Sequence, residues 1–439
     1  MSSFNPESLA FHPSLFEGAT VCLFEDDGVE ADLFPLTVLR PVWDMLVGTG
    51  TVIDHVHRAS GMFPLLRPRT HLQGLCAELW PDTVRSPERG DIVFLNGRVF
   101  ELRPEQTHDF PPLPETVVDS EGRLLFARRN AAVERRLLAE GGNNLAERLV
   151  QQGGASELPV GWRCRVARYV WDPMLANADL LQAQLGASND AFLDARPLAD
   201  PGPGVDVCSR LGAAPVFVGS EVKIHPGVVL GNHTGAIFIG AETEILPHSY
   251  LEGPLFIGAH CLIKAGARLY GGSSFGPVCK LGGEISQSII QGYSNKQHDG
   301  FLGHAHLGQW VNIGAGTNNS DLKNNYESVR VEVNGRYLDT GHRHVGCFIG
   351  DHTKTGINTM LNTGTVVGVA CNLFGAGFQQ RFVPSFHWGG AARLLPAPLS
   401  RALETARAMM ARREKVLSEA EEELMRRHYE FIVKKERRA

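Results

Sequence analysis

Residues 239–281 read IGAETEILPHSYLEGPLFIGAHCLIKAGARLYGGSSFGPVCKL. Ile239, Ile245, Leu251, Ile257, Ile263, Leu269, Phe275 and Leu281 stand at an unbroken spacing of six. The same phase recurs at Ile349, Thr355, Leu361, Val367 and Leu373, and a shorter run precedes it at Val218, Ile224 and Leu230. A helix repeats every 3.6 residues and cannot hold that pattern on one face. A triangular coil of three short strands can, with one apolar residue pointing inward per face and a small residue easing each corner. Such a coil cannot bury its apolar residues alone, so coils must stack as parallel strands. The spacing therefore predicts a hexapeptide parallel β-helix.

The repeat accounts for the one compositional oddity. Glycine contributes 48 of 439 residues, about 11% against an ordinary ~7%. Most of the surplus belongs to corners between 210 and 390. The length suits two or three domains. With 43% hydrophobic and 21% charged residues, the chain is of globular composition and not disordered. The net charge of −6 argues against nucleic acid as a partner. No apolar run approaches a membrane span. The first residues, MSSFNPESLAFHPSLFEG, lack the basic and apolar parts of a secretory signal. The eight cysteines are scattered, with no C-x-x-C, which suits reduced thiols in a cytoplasmic protein.

Two insertions interrupt the coils. One is NHTGA near 232–236; the other spans 318–346. Within the second, VRVEV, Asn334-Gly335 and RYLDT predict a hairpin with a type I′ turn. An insertion in a solenoid projects from one face, often the binding face. Residues 1–205 differ in texture. TVCLFEDDGVE (20–30) and DIVFLNGRVF (91–100) read as buried strands, NAAVERRLLAEGG and NNLAERLVQQGG as helices. That alternation predicts an α/β domain. The Pro/Gly-rich segment 194–207 reads as a linker, 206–390 as the β-helix and 391–439 as a helical tail. In the tail, Ser418-x-x-Glu421 is a capping box.

The chemistry-bearing stretch is GGEISQSIIQGYSNKQHDGFLGHAHLGQWVNIGAGT, residues 282–317. The hexad rule lapses between Ile289 and Leu302, and His298 sits in the lapse with Lys296 and Asp299. A local failure of a periodic rule marks a functional site. His298-Asp-Gly-Phe301-Leu-Gly303, then LGQWV, then Asn312-Ile-Gly-Ala-Gly-Thr317 resembles the acetyltransferase domain of the bifunctional N-acetylglucosamine-1-phosphate uridyltransferase/glucosamine-1-phosphate acetyltransferase family. The resemblance implies a left-handed β-helix, a homotrimer and acetyl-CoA as co-substrate, with a phosphosugar acceptor. It implies His298 as general base on the sugar amine and Glu284 as the carboxylate orienting it. It places Arg268, Lys280, Lys296, Phe301, Asn312 and Asp321 on the substrate, and Ala315, Gly316 and Asp351 on acetyl-CoA. Ser286 stands where the family has a phosphate-binding Lys, Phe301 where it has a Tyr, and Asp351 where it has a Ser. The chemistry agrees, because a histidine titrating near neutrality can take the proton of an attacking amine. Backbone N–H groups of the Gly-Ala-Gly turn suit a developing oxyanion.

LFPLTVLRPVWDM (33–45) resembles the corresponding stretch of sugar-phosphate nucleotidyltransferases. The resemblance places Asp26, Asp27 and Arg40 on the nucleotide, with Mg2+ if that domain is active. Where those enzymes carry a Gly-rich phosphate cradle this chain has Glu25-Asp26-Asp27-Gly28, a poor substitute. The product of both steps would be UDP-N-acetylglucosamine. Two rival readings are nucleotidyl transfer alone, with the β-helix as an oligomerisation and regulatory module, and a non-catalytic sugar-nucleotide sensor. His304-x-His306 and His342-x-His344 have a spacing that lets strand neighbours chelate a metal, but no third ligand can be placed.

Overall fold

A computed structural model describes residues 9–26, 28–81, 87–106, 110–139, 144–186, 195–198 and 208–436. Most of the expected linker, and Asp27, lie outside the described residues.

The first part is an α/β domain on one mixed sheet. Its strands are β1 (Ala19–Phe24), β2 (Leu65–Arg67), β3 (Asp91–Asn96), β4 (Thr116–Val118), β5 (Leu124–Asn130) and β6 (Ala155–Glu157), in the order β2-β1-β3-β5-β4-β6. β1 runs parallel to β2 and β3, which explains why both expected strands are apolar throughout: each is covered on both faces. The two expected helices form at Ala131–Ala139 and Leu145–Gln151.

The β-helix follows as read. All eight residues of the 239–281 run are fully buried, as are Ile349, Val367 and Leu373. Ile239, Ile257 and Phe275 stack in register, so each coil takes 18 residues. The lapse before His298 is a change of phase rather than a missing coil. Leu269 stacks on Ile285, Phe275 on Ile290 and Leu281 on Lys296, so the coil shortens but closes. The inward slot that should hold an aliphatic residue holds Lys296, which is 1% exposed.

Three parallel faces result, and they differ in what covers them. One, here the docking face, carries Val216–Val218, Ile237–Ile239, Leu255–Ile257 and their successors. Its outward residues Phe217, Phe238, Phe256, Ile289, Phe348 and Val366 belong to the core of the α/β domain, which packs against them. Asn177, fully buried, joins the two by donating to Gly272 O and Ser274 Oγ at 2.9 Å while accepting from Gly48 N at 2.7 Å. The tail helices Leu399–Ala411 and Glu419–Glu436 pack on the next corner. There Leu403, Met410 and Met425 cover Trp310 and Phe386. The second face, here the tail face, lies partly under them. The Ser418–Glu421 capping box forms reciprocally, at 2.8 and 3.1 Å. The third face, here the open face, carries Arg268–Leu269, Glu284–Ser286 and Phe301–Gly303.

The long insertion contains the expected hairpin, Arg330–Val333 against Arg336–Asp339. Asn334 and Gly335 both take positive φ, 53° and 80°, as a type I′ turn requires. The hairpin is not free. Val329, Val331 and Val333 are buried with the α/β domain's core.

Candidate active site

The corner between the tail face and the open face gathers most of the expected residues. Residues 297–300 make this corner in one coil and 314–317 in the next. Gly316 N donates to Asp299 O at 2.9 Å, so the His298 corner lies directly against Ala315 and Gly316. His298 is exposed, and its side chain makes no hydrogen bond or ion pair among the described residues. Phe301 opens the adjoining strand of the open face, in register with Glu284, which is in register with Arg268. Asn312 lies on the other side of the corner, on the tail face, where it accepts from Asn295 Nδ2 at 3.1 Å. Asn295 in turn accepts from Arg413 of the tail at 3.0 Å.

Several expectations are corrected. Glu284 pairs with Arg268 at 3.3 Å rather than with His298, because the shortened coil sets Arg268 over Glu284 instead of Ser286. Lys296 does not reach the open surface. Its ammonium points inward and donates to Gly282 O and to His298 O. Gly283 (φ +69°) makes room: a Cβ there would stand 2.9 Å from Lys296 Nζ and 2.5 Å from His298 O. Burial pushes the Lys296 pKa down to about 8, against a smaller upward pull from Asp299. Gly314 N–H is committed to Thr355 Oγ1 and Gly316 N–H to Asp299 O, so of the Gly-Ala-Gly turn only Ala315 retains a backbone N–H without a partner among the described residues.

Arg40 and Asp351, expected on nucleotide and on acetyl-CoA, pair with each other instead. Arg40 donates to Asp351 at 2.7 Å and to Asp44 at 2.8 Å, and Arg40 and Asp351 are 4% and 3% exposed. These charges are committed to one another in the domain contact. Asp321 is held by His304 Nδ1 at 2.7 Å. His306 is fully buried on the docking face, neither ring nitrogen has a partner among the described residues, and burial drives its pKa down to about 3. His304 and His306 therefore do not chelate together.

The first domain's expected nucleotide corner is filled by its own ion pairs. Asp26 takes Arg98 Nε at 2.8 Å on one oxygen and Asn96 Nδ2 at 3.0 Å on the other. Glu25 accepts from Val42 N, Arg69 N and Arg69 Nε at 2.8–3.2 Å. Mg2+ needs free carboxylate oxygens. Both described acids already hold protein donors, so either would have to share its oxygens to take the ion.

Three cations escaped the sequence reading: Lys264, Arg412 and Arg413 gather around the expected Lys280, which stands in register with Asn295, the partner of Arg413, in the strand before the His298 corner. Burial, then Arg413, Arg412 and Lys264, all lower the Lys280 pKa. The adjacent Arg412-Arg413 at the break between tail helices was the available signal.

Residues 21–188 match a family model described as sugar nucleotidyl transferase. Over 100 residues the chain is 32% identical to a bifunctional sugar-1-phosphate nucleotidylyltransferase/acetyltransferase of Sulfurisphaera tokodaii, covering 23% of this chain and 25% of that one. Over 153 residues it is 31% identical to the bifunctional protein GlmU of Herminiimonas arsenicoxydans, covering 34% and 32%. The chain thus spans a third or less of the length of these relatives. Among solved structures, the UDP-N-acetylglucosamine acyltransferase from Campylobacter jejuni aligns at 15% identity over 51% of this chain and 94% of that chain, with a TM-score of 0.28. The acetyltransferase domain of PglB from Neisseria gonorrhoeae, in complex with acetyl coenzyme A, aligns at 13% identity over 41% and 57%, with a TM-score of 0.16. No helix among the described residues is long and apolar enough to cross a membrane. Residues 21–188 are thus similar to the sugar nucleotidyl transferase family, and part of the chain is similar to bifunctional sugar-1-phosphate nucleotidylyltransferase/acetyltransferases.

Proposed function

We propose that this chain is a transferase that N-acetylates a hexosamine-1-phosphate from acetyl-CoA, with glucosamine-1-phosphate the favoured acceptor. The observation that carries the reading is the cationic group Lys264, Lys280, Arg412 and Arg413 beside the His298 corner. Both reactants carry phosphate, and these side chains offer it charge and hydrogen-bond donors. His298 accepts the proton as the sugar amine attacks the thioester carbonyl. Ala315 N–H, the uncommitted donor of its turn, receives the oxyanion. The C–S bond then breaks, and the CoA thiolate leaves and is protonated. Arg268 takes the sugar phosphate, and Glu284 beside it fixes that guanidinium. Phe301 and Asn312 flank the acceptor from the two adjoining faces.

A trimer would place this corner at a seam between copies, consistent with the exposed Ile357 (71%) and Met360 (36%) on the coil beyond Ala315. Light scattering of the full chain checks it. A second reading, uridylyl transfer by the first domain, is favoured by the family match over 21–188. Pyrophosphate release from UTP and N-acetylglucosamine-1-phosphate tests it separately. The acetyltransferase reading is tested by thiol release from acetyl-CoA with a panel of amino-sugar phosphates. His298→Ala is expected to lose about 10²–10⁴ in rate, the usual worth of a general base. Absence of thiol release from the wild type, or full activity in the variant, overturns it.

A further inference from the structure

The corner between the open face and the docking face carries a second cluster. His304, with φ 47°, turns the chain out of Phe301–Gly303. Asp321 makes the same corner in the following coil, where the long insertion departs. His344 stands where the insertion returns, held by an antiparallel bridge to Leu322. The Nδ1 of His304 lies 2.7 Å from Asp321 Oδ2, the rings of His304 and His344 are 5.0 Å apart, and one donor atom from each residue falls within 4.8 Å of the others.

We propose that His304, Asp321 and His344 bind a divalent transition-metal ion of the zinc class, which clasps the two ends of the insertion to the solenoid. The donor set is the first argument: two imidazoles and one carboxylate suit a borderline cation of this kind. The second is charge. Asp321 is only 17% exposed, and no Lys or Arg among the described residues pairs with it; its one ion-pair partner is His304. The third is how firmly the three segments are framed. Val345 N donates to Asp321 O at 2.9 Å and Gly346 N to His304 O at 2.8 Å, so the backbones bearing the donors are laced together. Gly303 lies against the cluster: a Cβ there would stand 2.6 Å from Asp321 Oδ2, and 2.4 Å from Phe301 Cζ. Metal bonds of ~2.0–2.1 Å place tetrahedral ligand atoms ~3.3 Å apart. The His304–Asp321 contact must open by about half an ångström as the shared proton leaves, and His344, exposed, swings to close the rest. Three protein ligands leave a fourth position for water.

The inference is independent of acetyl transfer, and its readout is metal. The full-length protein is stripped with chelator and titrated with Zn2+ by calorimetry and with Co2+ by visible absorption. One equivalent per chain is expected, with Co2+ giving ligand-field bands of a tetrahedral site. Asp321→Asn and His344→Gln are expected to weaken binding by more than the roughly 10–100-fold that outer partners contribute. His342→Gln, two residues from a ligand but outside the cluster, should bind as the wild type does. Zinc should also raise the melting temperature of the wild type and of His342→Gln but not of Asp321→Asn. Failure of the folded wild type to bind either ion, or unchanged affinity in both ligand variants, overturns the proposal.

Discussion

Lys296→Met tests the account of the His298 corner most directly. Lys296 occupies an inward slot between Leu281 and the next coil, and its ammonium is held by the carbonyls of Gly282 and His298. Its pKa in the folded chain is about 8, lowered by burial. In the unfolded chain it returns to about 10.4. Between those values the unfolded chain keeps a proton that the native chain has released, so native stability rises with pH across that window and is flat below it. A difference near two and a half pH units is worth about 3 kcal/mol at about 1.4 kcal/mol per unit. Methionine fills the slot, carries no proton and abolishes this slope. At pH 7 the two proteins should differ little. The variant escapes burying a cation but leaves two carbonyls unpaired, at about 1–3 kcal/mol. The assay is urea unfolding of both proteins at intervals from about pH 7 to 10.5, read as the difference in ΔG. Lys354, buried with a pKa of about 7, titrates in both and cancels. The expected result is a gap that moves by about 3 kcal/mol in favour of the wild type. A gap that stays constant with pH would show that Lys296 keeps its proton in an accessible place, and the inward placement would be wrong.

Other perturbations probe the domain contact and the corners. Arg40→Ala leaves Asp351 and Asp44 buried without their cation and should cost about 3–5 kcal/mol, measured by denaturant unfolding; a loss below 1 kcal/mol would mean the pair is solvated. Met410→Ala empties a buried position between the tail and Trp310 and should cost about 2–5 kcal/mol in the same experiment. Gly283→Ala places a Cβ against Lys296 Nζ and His298 O, so it should lower both stability and thiol-release rate, whereas Gly266→Ala, at a corner with φ +71° but open space, should lower stability by backbone strain alone.

The solenoid was legible because its rule is local. A residue six places from the last one must be apolar, and Ile239 through Leu281 obey it without exception. The hairpin turn and the tail capping box were legible for the same reason, since each is fixed by two or three neighbouring residues. Lys296 was not, because the coil before it loses residues between Leu281 and Ile290 and the phase moves. Counting in sixes from Leu281 lands on Gln287 and Tyr293, so the lysine reads as part of a loop when it is in the core.

What covers each face was the harder question, although the sequence held a sign of it. PVFVG, AIFIG, PLFIG and GCFIG each carry three apolar residues in a row, where a strand with one wet face would alternate. That triple is buried in full on the face that meets the α/β domain, whereas in Val228-Val229-Leu230 and Cys261-Leu262-Ile263, on the other two faces, the middle residue is only half-buried. Reading it would have placed that domain against the solenoid and removed Arg40, His306 and Asp351 from the ligand-binding set. His306 would have been separated from His304 by the same step, because the two flank a corner and face different neighbours. The metal cluster has no such signature. Its three residues are 17 and 23 positions apart, and only closure of the insertion brings His344 back beside Asp321. Spacing within a strand therefore pointed to His304-x-His306, while the geometry that matters runs between coils.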